Sequence, residues 1–399
     1  MISRQESRRW LWMLIASAVL CQIALNLARP LISYKVLALG GDAATVGLIA
    51  AAYALLPVVI ALWLGRMSDK SPSLRGIIVA GTALLAAGPF LLSGAPSLLL
   101  IAVASAVLGL GHLCFTIAGQ SAIARFLPYN QMDAAFGWFT AAFALGQLVG
   151  PLLAGLLMGA AQGVPAAVRL ADANTALMFA GAICILGVPA AFATSVKQPK
   201  KKPTAKATSP DAAPASVASL LATPTVKANM AASLALLATT DILVAFLPLL
   251  GEESGVPPLM VGVLLAVRAG ASISSRLLLP VLLSRWSRPA LVTSSLAGAA
   301  IPLALLPSVF ETPILAGVLL AIAGFFLGLG QPLTMTLISQ AVPPAARGAA
   351  LALRLLGNRL GQVTLPLAAG LLVAPAGPGG SVWMSSAILM AACIRRPRK

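Results

Sequence analysis

The chain of 399 residues is 59% hydrophobic and only 9% charged, with 27 Lys+Arg against 10 Asp+Glu and a formal net charge of +17. A soluble domain carries about 25% charged residues, so this composition excludes a water-soluble enzyme. The basic excess does not indicate nucleic acid either, because such binders mount their cations on a polar scaffold. What remains is a membrane protein, and its cations need a separate explanation.

About 20 apolar residues cross a bilayer core as a helix, since every backbone amide must be satisfied internally. That window predicts spans at 10–30, 44–64, 76–94, 98–120, 135–158 and 174–193. A second set follows at 229–250, 259–282, 289–308, 313–337, 349–373 and a short 378–394. The first stretch follows Arg4, Arg8 and Arg9 and runs on without a small-residue cleavage site, so it reads as a span rather than a leader. Twenty of the 27 cations fall at the N-terminus, in alternate loops and in the tail. This bias predicts an inner (plasma) membrane protein with both termini cytoplasmic. Lys35 and Arg169 are assigned to outer loops, and Arg29, Arg268, Arg276, Arg354 and Arg359 lie within spans. Cys21, Cys114, Cys184 and Cys393 all fall in spans without disulfide or zinc spacing, so neither metal nor cofactor is expected.

The hydrophilic stretch 194–228, with Lys197 and Lys200–Lys202, reads as a basic, disordered cytoplasmic linker. It separates a six-span bundle at 1–193 from another at 229–399. Leu145–Leu157 aligns with Leu360–Leu372 at an offset of 215, which also relates Asn26 to Asp241 and Pro128 to Pro343. Leu-Gly-Leu-Gly at 108–111 and 327–330 recurs at 219 instead. A 6+6 duplication predicts an all-α membrane protein of twelve transmembrane helices, with the substrate route between pseudo-symmetric halves.

The loop after span 2, Gly65-Arg-Met-Ser-Asp69-Lys70-Ser-Pro-Ser-Leu-Arg75, resembles the signature loop of the major facilitator superfamily. Gly137, Gly146, Gly150, Pro151 and Gly155 in span 5 resemble that superfamily's antiporter motif, associated with 12-span drug/proton exporters. Several positions depart from the pattern: Pro72 and Ser73 replace Gly and Arg, Ser105 stands where span 4 would carry Arg, and span 1 has Asn26 and Arg29 in place of an acid. The resemblance implies that Gly65, Asp69, Lys70 and Arg75 form a conformational latch, although Asp69 also reads as a solvated turn acid. The span-5 glycines read equally as plain helix packing. The resemblance also implies that spans 1, 4, 7 and 10 line a cavity, where Asn26, Arg29, His112, Asp241 and Gln331 would converge.

A charge at mid-bilayer costs about 2.5–3.5 kcal/mol and needs a partner or a role. Polar stripes at helical spacing run through Gln22, Asn26 and Arg29, through Arg268, Ser272 and Arg276, and through Arg354, Asn358 and Gln362, with Arg359 on another face. Asp241 is the only carboxylate in any predicted span. It reads either as the proton-coupling group or as half of a static ion pair. His112 reads as a titrating group or as a neutral hydrogen-bond partner, and Arg276 and Arg354 as snorkelling side chains. Several arginines against one acid predict a positive cavity that suits an anionic or zwitterionic solute. The function expected is proton-coupled export of a small organic solute by a monomer. Uptake of an organic anion and a transporter-fold sensor or scaffold are the alternatives. No nucleophile–base set, metal cluster or ATP-binding motif argues for an enzyme.

Overall fold

The computed structural model describes residues 4–71, 73–127, 129–194, 217–343, 346–377 and 379–395. Among these the chain is helical, with no strand. The helices are α1 (Arg4–Ala38), α2 (Ala43–Lys70), α3 (Arg75–Gly94), α4 (Leu98–Phe126), α5 (Tyr129–Met158), α6 (Ala166–Phe192), α7 (Val217–Ala222), α8 (Pro224–Glu253), α9 (Pro258–Arg285), α10 (Arg288–Leu305), α11 (Pro313–Gln340), α12 (Arg347–Ala376) and α13 (Gly380–Ile394). Eleven are long and apolar enough to cross a membrane, and α13, with 15 residues, is apolar but shorter. The boundaries follow local chemistry. Ser97 and Ser287 cap α4 and α10 by accepting from Leu100 and Ala290 N–H. Pro224, Pro258 and Pro313 begin α8, α9 and α11, where no backbone donor is needed. Gly40, at φ 78°, ends the turn after α1 in a conformation that costs other residues energy.

Two boundaries differ from expectation. Residues 195–216 of the predicted linker lie outside the described residues, but its last part is helical as α7 and the start of α8. Helix α6 begins at Ala166, earlier than its apolar window, and so carries Arg169 and Asp172 within its first turns. Helix length is set by backbone hydrogen bonding, which continues beyond the lipid-matched core.

The chain divides into two compact units: Met1–Asp42 with Ala52–Thr204, and Ala43–Ala51 with Ala205–Lys399. In the first, α1 packs on α5 and α6, and α3 on α4 and α6. In the second, α8 packs on α12 and α13, and α10 on α11 and α13, which is the same pairing in the second copy. The repeat is also visible at closest approach. A Cβ on Gly109 of α4 would collide with the Tyr53 carbonyl of α2, and one on Gly324 of α11 with the Arg268 carbonyl of α9. Both members of this crossing are related by 215. The structural register is therefore 215, and the Leu-Gly-Leu-Gly match at 219 is displaced by one helical turn.

Two cations assigned to outer loops are in fact buried. Lys35, 1% exposed in the last turn of α1, donates to the carbonyls of Leu92 (2.5 Å) and Ser93 (2.8 Å) and to Asn174 Oδ1 (2.7 Å). It thus satisfies the C-terminal carbonyls of α3 and ties α1, α3 and α6 together. Arg169 is 6% exposed. Hydropathy cannot distinguish a cation beside a span from one folded back under its end.

Candidate substrate and coupling site

In the first unit an aromatic cluster gathers around His112. Tyr53 Oη and His112 Nδ1 are 2.7 Å apart, and the Arg29 guanidinium sits over the Tyr53 ring at 5.3 Å from its centroid. Phe143 lies 5.9 Å from His112 and 5.1 Å from Phe139. The His112 ring is thus fixed on one side by a phenol and flanked by apolar faces, while Arg29 is half-buried against a ring quadrupole. Tyr53 was not singled out in the sequence. Its position one turn from Pro57 within an apolar run gave no signal, and only the fold brings it between Arg29 and His112. Asn26 is buried and donates to the Gln22 carbonyl of its own helix at 2.8 Å.

The span-5 motif packs on this same helix. Cβ atoms on Gly146 and Gly150 would come within 2.5 Å of Gln22 and 2.6 Å of Asn26 backbone atoms, whereas Gly137 has open space around it. Gly155 and Pro151 are buried in α5. The bare faces of Gly146 and Gly150 thus allow α5 to lie directly on the polar stripe of α1.

In the second unit the polar residues form two hydrogen-bonded groups. Gln362 Nε2 donates to Asp241 Oδ2 at 2.7 Å, and Gln362 Oε1 accepts from Arg359 Nη1 at 3.0 Å. Arginine can only donate, so the amide must turn its oxygen to Arg359 and its N–H to Asp241. A proton on Asp241 Oδ2 would place two donors face to face and break the relay. The second group centres on Ser233, whose Oγ accepts from Arg354 Nη1 (2.9 Å) and Asn358 Nδ2 (3.1 Å). Gln331 accepts from Arg354 at 3.2 Å and donates to the Ser233 carbonyl at 2.9 Å. Arg354 is therefore buried and hydrogen-bonded to α8 and α11, which corrects the snorkelling reading. Arg354 Nε and Asn358 Oδ1 remain buried without a partner among the described residues. Arg268 and Ser272 are buried on α9, whereas Arg276, two turns on, is exposed.

Gly65, Asp69 and Lys70 fall in the last turns of α2, with their side chains outside the described residues. Arg75 is exposed, its guanidinium 5.6 Å from the Phe192 ring centroid. A residue outside the motif closes this end of α2: Arg125 of α4 donates to the Ser68 (2.5 Å) and Ser71 (3.1 Å) carbonyls. Among the described residues no group of three or more His, Cys, Asp or Glu is placed to hold a metal.

The comparisons agree with this architecture. The model of the Major Facilitator Superfamily matches residues 14–342. The tetracycline resistance protein, class B, of Escherichia coli is 33% identical over 117 residues, a stretch covering 27% of this chain and 27% of that protein. The chain thus aligns with about a quarter of that relative's length. Among solved structures, a bacterial homologue of the human lysosomal transporter Spinster superposes with a TM-score of 0.75 at 15% identity, covering 98% of this chain and 95% of that one. A D-xylose–proton symporter gives 0.76 at 14% identity, with 96% and 97% covered. At such identities the likeness is one of fold. The family match runs from α1 to the end of α11, and the chain belongs to the Major Facilitator Superfamily of membrane transporters.

Proposed function

We propose that this transporter exports a small organic solute in exchange for protons, with an anionic or zwitterionic group of the solute taken by the second bundle. The observation that carries the reading is the Arg359–Gln362–Asp241 relay beside the buried Arg354–Ser233–Asn358 group. One amide joins an acid to a cation, so protonating the acid changes what that cation faces. Arg354 and Asn358 offer an unused donor and an unused acceptor, which suits a polar group carrying both, and arginine captures carboxylate or phosphate well. The alignment with a tetracycline resistance protein supports export of an organic compound. Arg29, Tyr53 and His112 supply an aromatic, cationic contact in the first bundle. The positive-inside pattern supports an inner-membrane location with cytoplasmic termini, and the transporter is read as a monomer whose bundles are joined by the basic stretch around Lys197 and Lys200–Lys202.

The test is transport by purified protein in vesicles carrying a pH dye, with an imposed inward proton gradient. The probes are labelled organic anions, zwitterions, lipophilic cations and tetracycline. Gradient-driven efflux of anions or zwitterions is expected. Co-accumulation would reverse the direction, and equal handling of cations and anions would remove the proposed selectivity.

A further inference from the structure

The second unit carries a groove of about 260 Å³ whose lining includes none of the polar residues described above. Helices α9 and α10 both pack on α11, and residues of all three line the groove. Its floor is Phe325, Phe326 and Leu329, its walls Leu282 and Leu291, and its mouth Trp286. The floor is fixed in place: Gly298 of α10 lets the Phe326 ring lie against it, and Ser295 donates to the Phe326 carbonyl at 2.6 Å. Apolar lining of this kind accepts an acyl chain, but by itself selects no particular lipid.

The charge at the mouth provides selection. Arg285 ends α9 immediately before Trp286, and Arg288 begins α10 two residues before the groove-lining Ala290. Both arginines are exposed, as is Trp286 at 51%. A third joins them, because Cys393 near the end of α13 lies 3.8 Å from the Thr293 carbonyl of α10 and leads into exposed Arg395. No acid lies in α10 or α13 or between Gly255 and Val309 to neutralise them. Tryptophan prefers the headgroup level of a bilayer, which sets the depth of this mouth. We propose that the groove is a binding site for an anionic glycerophospholipid, one acyl chain lying over Phe325 and Phe326 and its phosphate held by Arg285 and Arg288.

The test uses a lipid that reports on its own position. Protein is reconstituted into vesicles of phosphatidylcholine containing either phosphatidylglycerol brominated on its acyl chains or phosphatidylcholine brominated in the same way. Bromine quenches only tryptophan it touches, so a variant keeping Trp286 while Trp10, Trp12, Trp63, Trp138 and Trp383 are changed to Phe reads this groove. If that variant does not fold, the difference between wild type and Trp286→Phe gives the same signal. Basic residues near an anionic surface each contribute about 1 kcal/mol, roughly fivefold in affinity, so a several-fold preference for phosphatidylglycerol is expected. Arg285→Gln with Arg288→Gln should bring the ratio close to one, and Arg347→Gln on α12 should leave it unchanged. Equal quenching by the two lipids in wild type would overturn the proposal. So would a preference that survives loss of both arginines, which would mark ordinary charge attraction to the whole surface.

Discussion

Lys35 shows what one buried cation does in an otherwise apolar bundle. Its ammonium is shared by three oxygens on two other helices, so removing it takes a charged donor from each. Among the described residues only the Leu92 carbonyl keeps a second one, the Ala95 N–H at 3.3 Å. Hydrogen bonds to a charged group contribute about 1.5–3 kcal/mol each, and buried acceptors left open add a penalty. Lys35→Met is therefore expected to destabilise the protein by about 2–4 kcal/mol, read as a lowered thermal midpoint in detergent. Asn174→Ala, which removes one of the three, should cost less. Gln362 makes a separable prediction. Gln362→Leu keeps the volume and removes both arms of the relay, so proton-driven transport should fall at least tenfold, with a lowered thermal midpoint because Asp241 and Arg359 each lose a hydrogen-bond partner. Retained driven transport in that variant would show that Asp241 and Arg359 act independently.

At the scale of helices, the fold depends on a few bare crossings. Gly109 and Gly324 each face a carbonyl of the neighbouring helix, and overpacking a tight contact costs about 1–3 kcal/mol or more. Gly109→Val and Gly324→Val should each lower the thermal midpoint clearly, while Gly137→Val, with open space around it, should be near neutral. The twelve apolar windows were legible in the sequence because a bilayer imposes length and composition on every span. Asn26 and Asp241 were legible as a pair because the duplication preserved their register. What could not be read was rotation about each helix axis. Arg268, Ser272 and Arg276 have one spacing, yet the first two are buried and the third is exposed. Arg359 was placed on a face away from the Arg354 stripe, and only the fold shows that Gln362 reaches both it and Asp241. Tyr53 and Arg125 carried no sequence signal, because their roles arise from partners 59 and 54–57 residues away.

At the scale of the molecule, the two units repeat one helix-packing scheme but differ in chemistry. The first surrounds Arg29 and His112 with aromatic rings, and the second holds Asp241 and its arginines in amide and hydroxyl hydrogen bonds. Duplication preserved the backbone crossings and let the polar residues diverge, as expected when packing tolerates few substitutions and a solute contact tolerates many. The central claim is that Asp241 is the group through which a proton gradient drives solute movement. It is tested by comparing gradient-driven transport with exchange at equal pH in vesicles containing wild type or Asp241→Asn, using whichever probe of the panel wild type carries fastest. Asp241→Asn should retain solute exchange within a few-fold of wild type and lose both gradient-driven accumulation and the accompanying proton flux. Undiminished gradient-driven accumulation by Asp241→Asn would contradict the account.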